Sequence, residues 1–142
     1  MLTVMAVSAA ACASSEDVAL DHAADDARTR AERGRQQLEL IAGDDKDVEK
    51  KLNDGITSID RSRVFHSSTT EQSFEIDAVY YGMGQSGSAG TYAQVSVQLC
   101  VRFKASWNGS PRVEAHDVDC PPSLPTTVPL YGTIQTTVRL KN

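Results

Sequence analysis

No lysine or arginine precedes Arg28 in this chain of 142 residues, and no apolar run in it reaches the roughly 18 residues that cross a bilayer as a helix. Without an early positive charge, the opening lacks the basic part of an export signal. Without a long apolar run, no helical membrane span is expected. Aromatic residues make up 6% of the chain and tryptophan occurs once, so any core is aliphatic and modest. The net charge is -5, and acidic side chains outnumber basic ones, 19 to 14. Nucleic acid, whose phosphates need a cationic face, is therefore not an expected partner. A polybasic grip on anionic lipid is excluded by the same count. The charge is also unevenly placed, with 14 acidic and 9 basic side chains over residues 16–71 against 5 of each over residues 72–142.

What the opening does contain is an uncharged, mostly apolar stretch closed by Ala9-Ala10-Ala11-Cys12 and followed by Ala13-Ser14-Ser15-Glu16-Asp17. An apolar segment ending in small residues is the pattern of an export signal, with its basic part expected upstream. Residues 9–12 resemble the lipobox of bacterial lipoproteins, and the whole organisation resembles small uncharacterised proteins of that class. The resemblance departs at Ala9, where leucine is usual. It implies that residues 1–11 are removed and that Cys12 carries a lipid as the new amino terminus. The expected location is then the extracytoplasmic face of the cell membrane. Ala11-Cys12-Ala13 also fits ordinary signal cleavage, the alternative, which would release a soluble secreted protein. Three cysteines leave one over if two pair, and lipidation of Cys12 would account for the odd thiol. Cys100 and Cys120 are then free to form a disulfide in an oxidising compartment.

The remaining 131 residues suffice for one domain. Residues 12–18 read as a lipid-anchored tether and residues 19–142 as a single α+β domain, helical over 19–60 and sheet over 72–141. The first helix is expected over about 19–42, with acids (Asp21, Asp25, Asp26) ahead of bases (Arg28, Arg30, Arg33, Arg35) as the helix dipole favours. Its apolar stripe of Ala24, Ala27, Ala31, Leu38 and Ile41 is thin, and Gly34 costs about 1 kcal/mol relative to alanine. The Leu38–Ala42 end is expected to dock while the first turns stand in water. Gly43 stops this helix, and Asp44-Asp45 cap a second in which Val48, Leu52, Ile56 and Ile59 share a face. Asn53-Asp54-Gly55 could end that helix early.

Beyond Ser67-Ser68-Thr69-Thr70 the hydrophobic period changes from near 3.6 to 2. Phe74, Ile76, Ala78 and Tyr80 alternate in a first strand, followed by an expected flexible loop over Gly82–Gly90. Val95, Val97, Leu99, Val101, Phe103 and Ala105 mark a second strand, Val113 and Ala115 a third, and Ile134, Thr136, Val138 and Leu140 a last one. The architecture expected is helices packed on a four-stranded, mostly antiparallel sheet whose opposite face is more polar. Cys100 lies on that polar face. For Val113 and Ala115 to share the buried side with Val101 and Phe103, a two-residue Asn108-Gly109 turn is disfavoured, whereas loops of three or five residues satisfy the parity. The five-residue loop, or a bulge near Asp117-Val118, sets Cys100 opposite Cys120. The prolines at 121, 122, 125 and 129 make the next segment an extended crossover.

Candidate chemistry is sparse. His22, His66 and His116 lack metal-ligand spacing to one another or to a cysteine. The best cluster is Glu114, His116, Asp117 and Asp119, a weak candidate for a metal site against the plainer reading of a solvated strand end. Gly82, Gly84 and Gly87 spell G-x-G-x-x-G, but a strand follows where phosphate binding needs a helix. Gly84-Gln85-Ser86-Gly87-Ser88 misses a nucleophile elbow by one residue. His22 and Asp26, four apart, read as an exposed helix contact. No cofactor is expected. The role these features imply is non-enzymatic: a cell-envelope lipoprotein whose exported domain binds a ligand or an envelope protein partner, tied to the membrane through its lipid. The alternatives are a secreted enzyme or inhibitor using the Glu114–Asp119 strand end, and a helical partner-binding segment over residues 20–36.

Overall fold

The structure, a computed structural model, describes residues 14–88 and 91–141. Two helices, α1 (Ser15–Ala42) and α2 (Val48–Ile59), precede the strands β1 (Val64–Thr69), β2 (Ser73–Ser88), β3 (Thr91–Ser106), β4 (Arg112–Asp117), β5 (Thr127–Val128), β6 (Gly132–Thr133) and β7 (Thr136–Val138). The main sheet runs β1-β2-β3-β4 antiparallel, with β7 added parallel to β3. This is the α+β class, helices on one face of a mostly antiparallel sheet. Among the described residues, no helix is long and apolar enough to cross a membrane.

Helix α1 starts four residues earlier than its composition indicated. The Ser14 side chain accepts from Asp17 N–H and the Asp17 carboxylate accepts from Ser14 N–H, a capping box that satisfies two orphan donors. Residues 15–18, read above as tether, are therefore helix. The expectation that the first turns stand in water is also overturned. Ala19, Ala23, Ala27 and Ala31 are each no more than 1% exposed, as buried as Leu38.

Glycine explains the difference. A Cβ at Gly82 would overlap the Ala23 carbonyl and stand 2.6 Å from Ala27 N, and one at Gly84 would stand 2.5 Å from Ala23 N. Helix backbone and strand backbone thus touch without side chains between them. The alanine stripe is a close-approach surface, one that a count of large apolar residues undervalues. The same contact makes strand of Gly82–Ser88, most of the expected loop: β2 and β3 pair without interruption from Ser73↔Ser106 to Ser88↔Thr91.

Helix α2 closes the other end of this face. Asp47, rather than Asp44 or Asp45, is its cap, accepting from Lys50 N–H. Gly55 does not end it, because that glycine packs within it against Leu38 and Ile76. The helix stops at Asp60, whose φ is 94°. Lys51 is buried, its Nζ donating to the Ala42 carbonyl at 2.8 Å and lying 4.0 Å from the Trp107 ring centroid. The ammonium satisfies a C-terminal carbonyl of α1 and gains a cation–π contact. The main core of Leu38, Ile56, Ile76, Val97, Leu99, Val101 and Phe103 lies between these helices and the sheet.

The opposite face is less polar than its alternation suggested. Val79, Tyr81 and Cys100 are buried there under Phe65, Val118, Cys120, Leu124, Val128, Tyr131 and Ile134. The proline-rich stretch is a cover, carrying the small β5–β6 hairpin, and the last strand is reduced to Thr136–Val138. Cys100 and Cys120 are bonded, with Cα atoms 5.4 Å apart. They are not opposed in a ladder. Ser106 pairs Arg112 and Val101 pairs Asp117, the register of the three-residue alternative. Val118 N–H still donates to the Cys100 carbonyl at 3.2 Å, and the chain then bends to bring Cys120 back over its partner.

Two outcomes are expected from these contacts. Gly82→Ala or Gly84→Ala would push α1 off β2 and lower unfolding free energy by about 2–3 kcal/mol, read by urea titration, even though alanine is the better strand and helix residue. Cys120→Ser would remove a 20-residue closure, costing about 3 kcal/mol, and would open residues 118–135 to limited proteolysis before the main sheet is cut.

Candidate functional site

β1 pairs β2 only as far as Ala78, which leaves the later part of β2 without a strand on that side. Side chains of α1 stand in for it. Asp26 Oδ2 accepts from Met83 N–H at 3.1 Å, and His22 Nδ1 donates to the Gln85 carbonyl at 3.3 Å. The two residues do not pair with each other. Each shields backbone polarity that an open edge would offer to another chain.

Around this edge the structure gathers arginines and tyrosines. A cleft of about 460 Å³ is lined by Arg30, Arg33, Gly34, Gln37, Ser58, Ile59 and Tyr80. Positions 30, 33, 34 and 37 share one face of α1 by helical spacing. Ser58 and Ile59 come from the end of α2, and Tyr80 rises from β2. Arg30 pairs with Asp26 at 3.1 Å and lies 5.9 Å from the Tyr131 ring centroid. Tyr131 in turn packs on Tyr81 at 5.5 Å, and Arg63 lies 5.5 Å from the Tyr81 ring. Among the described residues, neither Arg33 nor Arg63 has a carboxylate within ion-pair distance. In a chain with a net charge of -5, this is a local cationic surface.

The Tyr80 hydroxyl is the unusual group in it. Tyr80 is 6% exposed, and its oxygen is the one buried side-chain polar atom among the described residues without a hydrogen-bond partner. It fits beside Gly34, where a Cβ would overlap the hydroxyl and stand 3.0 Å from Cζ. Gly34 is thus kept by the ring beneath it despite its helix cost. Burial raises the Tyr80 pKa well above the ordinary phenol value, with Arg63 partly opposing the shift. The hydroxyl therefore stays protonated at neutral pH and can only donate to an anion. Burial raises the Tyr81 phenol as well, again against Arg63.

The strand end singled out from sequence does not converge. Glu114 is held by Arg112 at 2.6 Å and by His116 Nε2 at 3.4 Å. Asp117 caps the C-terminal segment, accepting from Leu140 N–H at 2.8 Å, while Asp119 is exposed and 3.8 Å from Arg139. Among the described residues, no group of three or more His, Cys, Asp or Glu side chains is arranged to hold a metal ion. Cys12 lies outside the described residues. The arginine–tyrosine cleft was not visible in sequence, because the three elements that supply it contribute groups separated by about 20 residues. The one local signal was Arg30, Arg33 and Gln37 on a single helix face. No protein family, no curated protein and no solved structure matches this chain.

Tyr80→Phe removes a buried donor that has no acceptor. It should raise unfolding free energy by about 1 kcal/mol in urea titration, where an ordinary buried tyrosine would lose a similar amount.

Proposed function

We propose that this protein is a non-enzymatic cell-envelope lipoprotein, anchored through Cys12 on the outer side of the cytoplasmic membrane or beyond it, whose exported domain binds an oxyanion-bearing ligand at the Arg30–Arg33–Tyr80 cleft. The observation that carries the binding role is the partnerless Tyr80 hydroxyl in a cleft lined by two arginines. A buried donor costs free energy unless something pays it back, and an anionic oxygen is the acceptor that the surrounding guanidinium groups favour. Arg33 and Gln37 are exposed and line the cleft with Tyr80, so they are the side chains that would move to admit a ligand to the hydroxyl. The Ile59 wall suits a short apolar body attached to the anionic head.

The envelope location is supported by the cysteine arrangement. Cys100 and Cys120 bond to each other and lock the cover of the second face, which leaves Cys12 as the unpaired sulfur. A disulfide of this structural kind belongs to an oxidising compartment.

Two measurements test the proposal. Intact mass of the protein extracted from its native membrane should show a chain beginning at an acylated Cys12 with one disulfide; an unprocessed Met1 terminus would sink the location. Titration with benzoate and with inorganic phosphate should raise the melting temperature of the isolated domain, and Arg33→Gln should abolish the rise. Equal responses in the native and Arg33→Gln proteins would sink the cleft.

A further inference from the structure

We infer that the end of the domain formed by the first turn of α1 and the outer part of the β2–β3 hairpin is a membrane-contacting face, seated on the lipid head groups with Tyr92 at the contact and Trp107 at the far end. The inference rests on the anchoring of Cys12 proposed above. Its physical basis is the lack of a tether. The capping box makes Ser14 the boundary residue of α1, and only Ala13 stands between it and Cys12. Two peptide units reach at most about 7 Å. A lipid on Cys12 would therefore hold a folded helix end at the head groups.

The same end carries the hairpin. β2 runs antiparallel to α1, with Gly82 against Ala23 and Ala27 and Gly84 against Ala19. Tyr92 pairs with Gly87, three residues further along β2. Those residues advance about 10 Å, whereas α1 extends about 6 Å from Ala19 back to Ser15. Tyr92 thus projects as far as the helix end or beyond it, and it is 68% exposed.

Composition agrees with this placement. From Ala78 to Val101 there is no charged side chain, in a chain of which 23% is charged. Among the described residues, the exposed positions of this stretch are filled by Gln85, Gly87, Tyr92 and Gln94. An amphipathic tyrosine ring among uncharged polar groups suits the interfacial layer. Glu16, Asp17 and Asp21 on the adjoining turns carry negative charge and limit the depth of contact. They also favour zwitterionic over anionic lipid. The long flanks of the domain are charged by comparison, with Asp25, Glu32, Arg35 and Glu39 along α1, so lying flat would desolvate ion pairs.

The chain's single tryptophan makes the test direct. Trp107 follows β3, about 50 Å of strand from Tyr92. The full chain, oxidised at Cys100–Cys120, would be coupled at the Cys12 thiol to a maleimide phospholipid and placed on phosphatidylcholine vesicles containing a head-group nitroxide lipid. Tyr92→Trp, at an exposed position, adds an indole without disturbing the core. The expected result is strong quenching of the added indole and none of Trp107 in the native chain. Equal quenching of both, or stronger quenching of Trp107, would overturn the orientation. Because the coupled lipid supplies the anchor, the readout does not depend on cellular processing. A native mass without acyl chains would defeat the anchoring proposal separately.

Discussion

The backbone contact between α1 and β2 is the constraint on which the rest of the structure depends. Two glycines on the strand and a row of alanines on the helix bring the two main chains together from Ala19 to Ala27. Interior packing is dense, so a gap or bulge of one methyl group there would be felt along the whole helix. The contact supports 16-residue strands, far longer than the usual five or six, beyond the reach of the main aliphatic core. It also brings Asp26 and His22 to the unpaired edge of β2, where they occupy backbone groups that would otherwise invite another strand.

A second cover makes the sheet two-sided. A domain of this size with few aromatic residues has little core to spare, and the C-terminal segment adds a small apolar layer over Val79, Tyr81 and Cys100. The disulfide fixes that layer at its start, and Gln135 fixes it further along, its N–H donating to the Ser96 carbonyl at 2.9 Å. Tyr131 is placed by this cover, Arg30 by the helix, and Tyr80 and Tyr81 by the strand. The cleft is assembled where the two covers meet around one sheet edge. Its properties follow from that position: cationic because, among the described residues, Arg33 and Arg63 have no carboxylate partner, and hydroxyl-bearing because Gly34 leaves room for the Tyr80 ring.

Much of the fold was legible because period carries information about burial. The even-numbered side of Phe74–Tyr80 and the odd-numbered side of Val95–Ala105 face the helices as the alternation indicated. The Cys100–Cys120 pairing was expected from the cysteine count, but the register that sets the two opposite each other did not form: the chain bends after Val118 to bring Cys120 back. What misled was small residues. Gly82 and Gly84 read as a loop, although their lack of side chains serves packing. Ala19 and Ala23, in the first turns, read as solvated helix, since hydropathy does not register how closely two backbones can approach. β1 (Val64–Thr69) was missed because its Ser and Thr residues face water and only its pairing with β2 makes it strand.

Sequence by itself determined the order of helices before strands, the face each strand buries, the uncharged stretch from Ala78 to Val101 and which two cysteines could meet. Each of these depends on neighbours in the chain or on simple parity. Tertiary structure alone decided that α1 is buried from its first turns, that the proline-rich stretch is a cover, and that Arg30, Arg33, Arg63, Tyr80, Tyr81 and Tyr131 converge. Those outcomes come from contacts between segments far apart in sequence, where distance between backbones decides the energy and no local pattern encodes that distance.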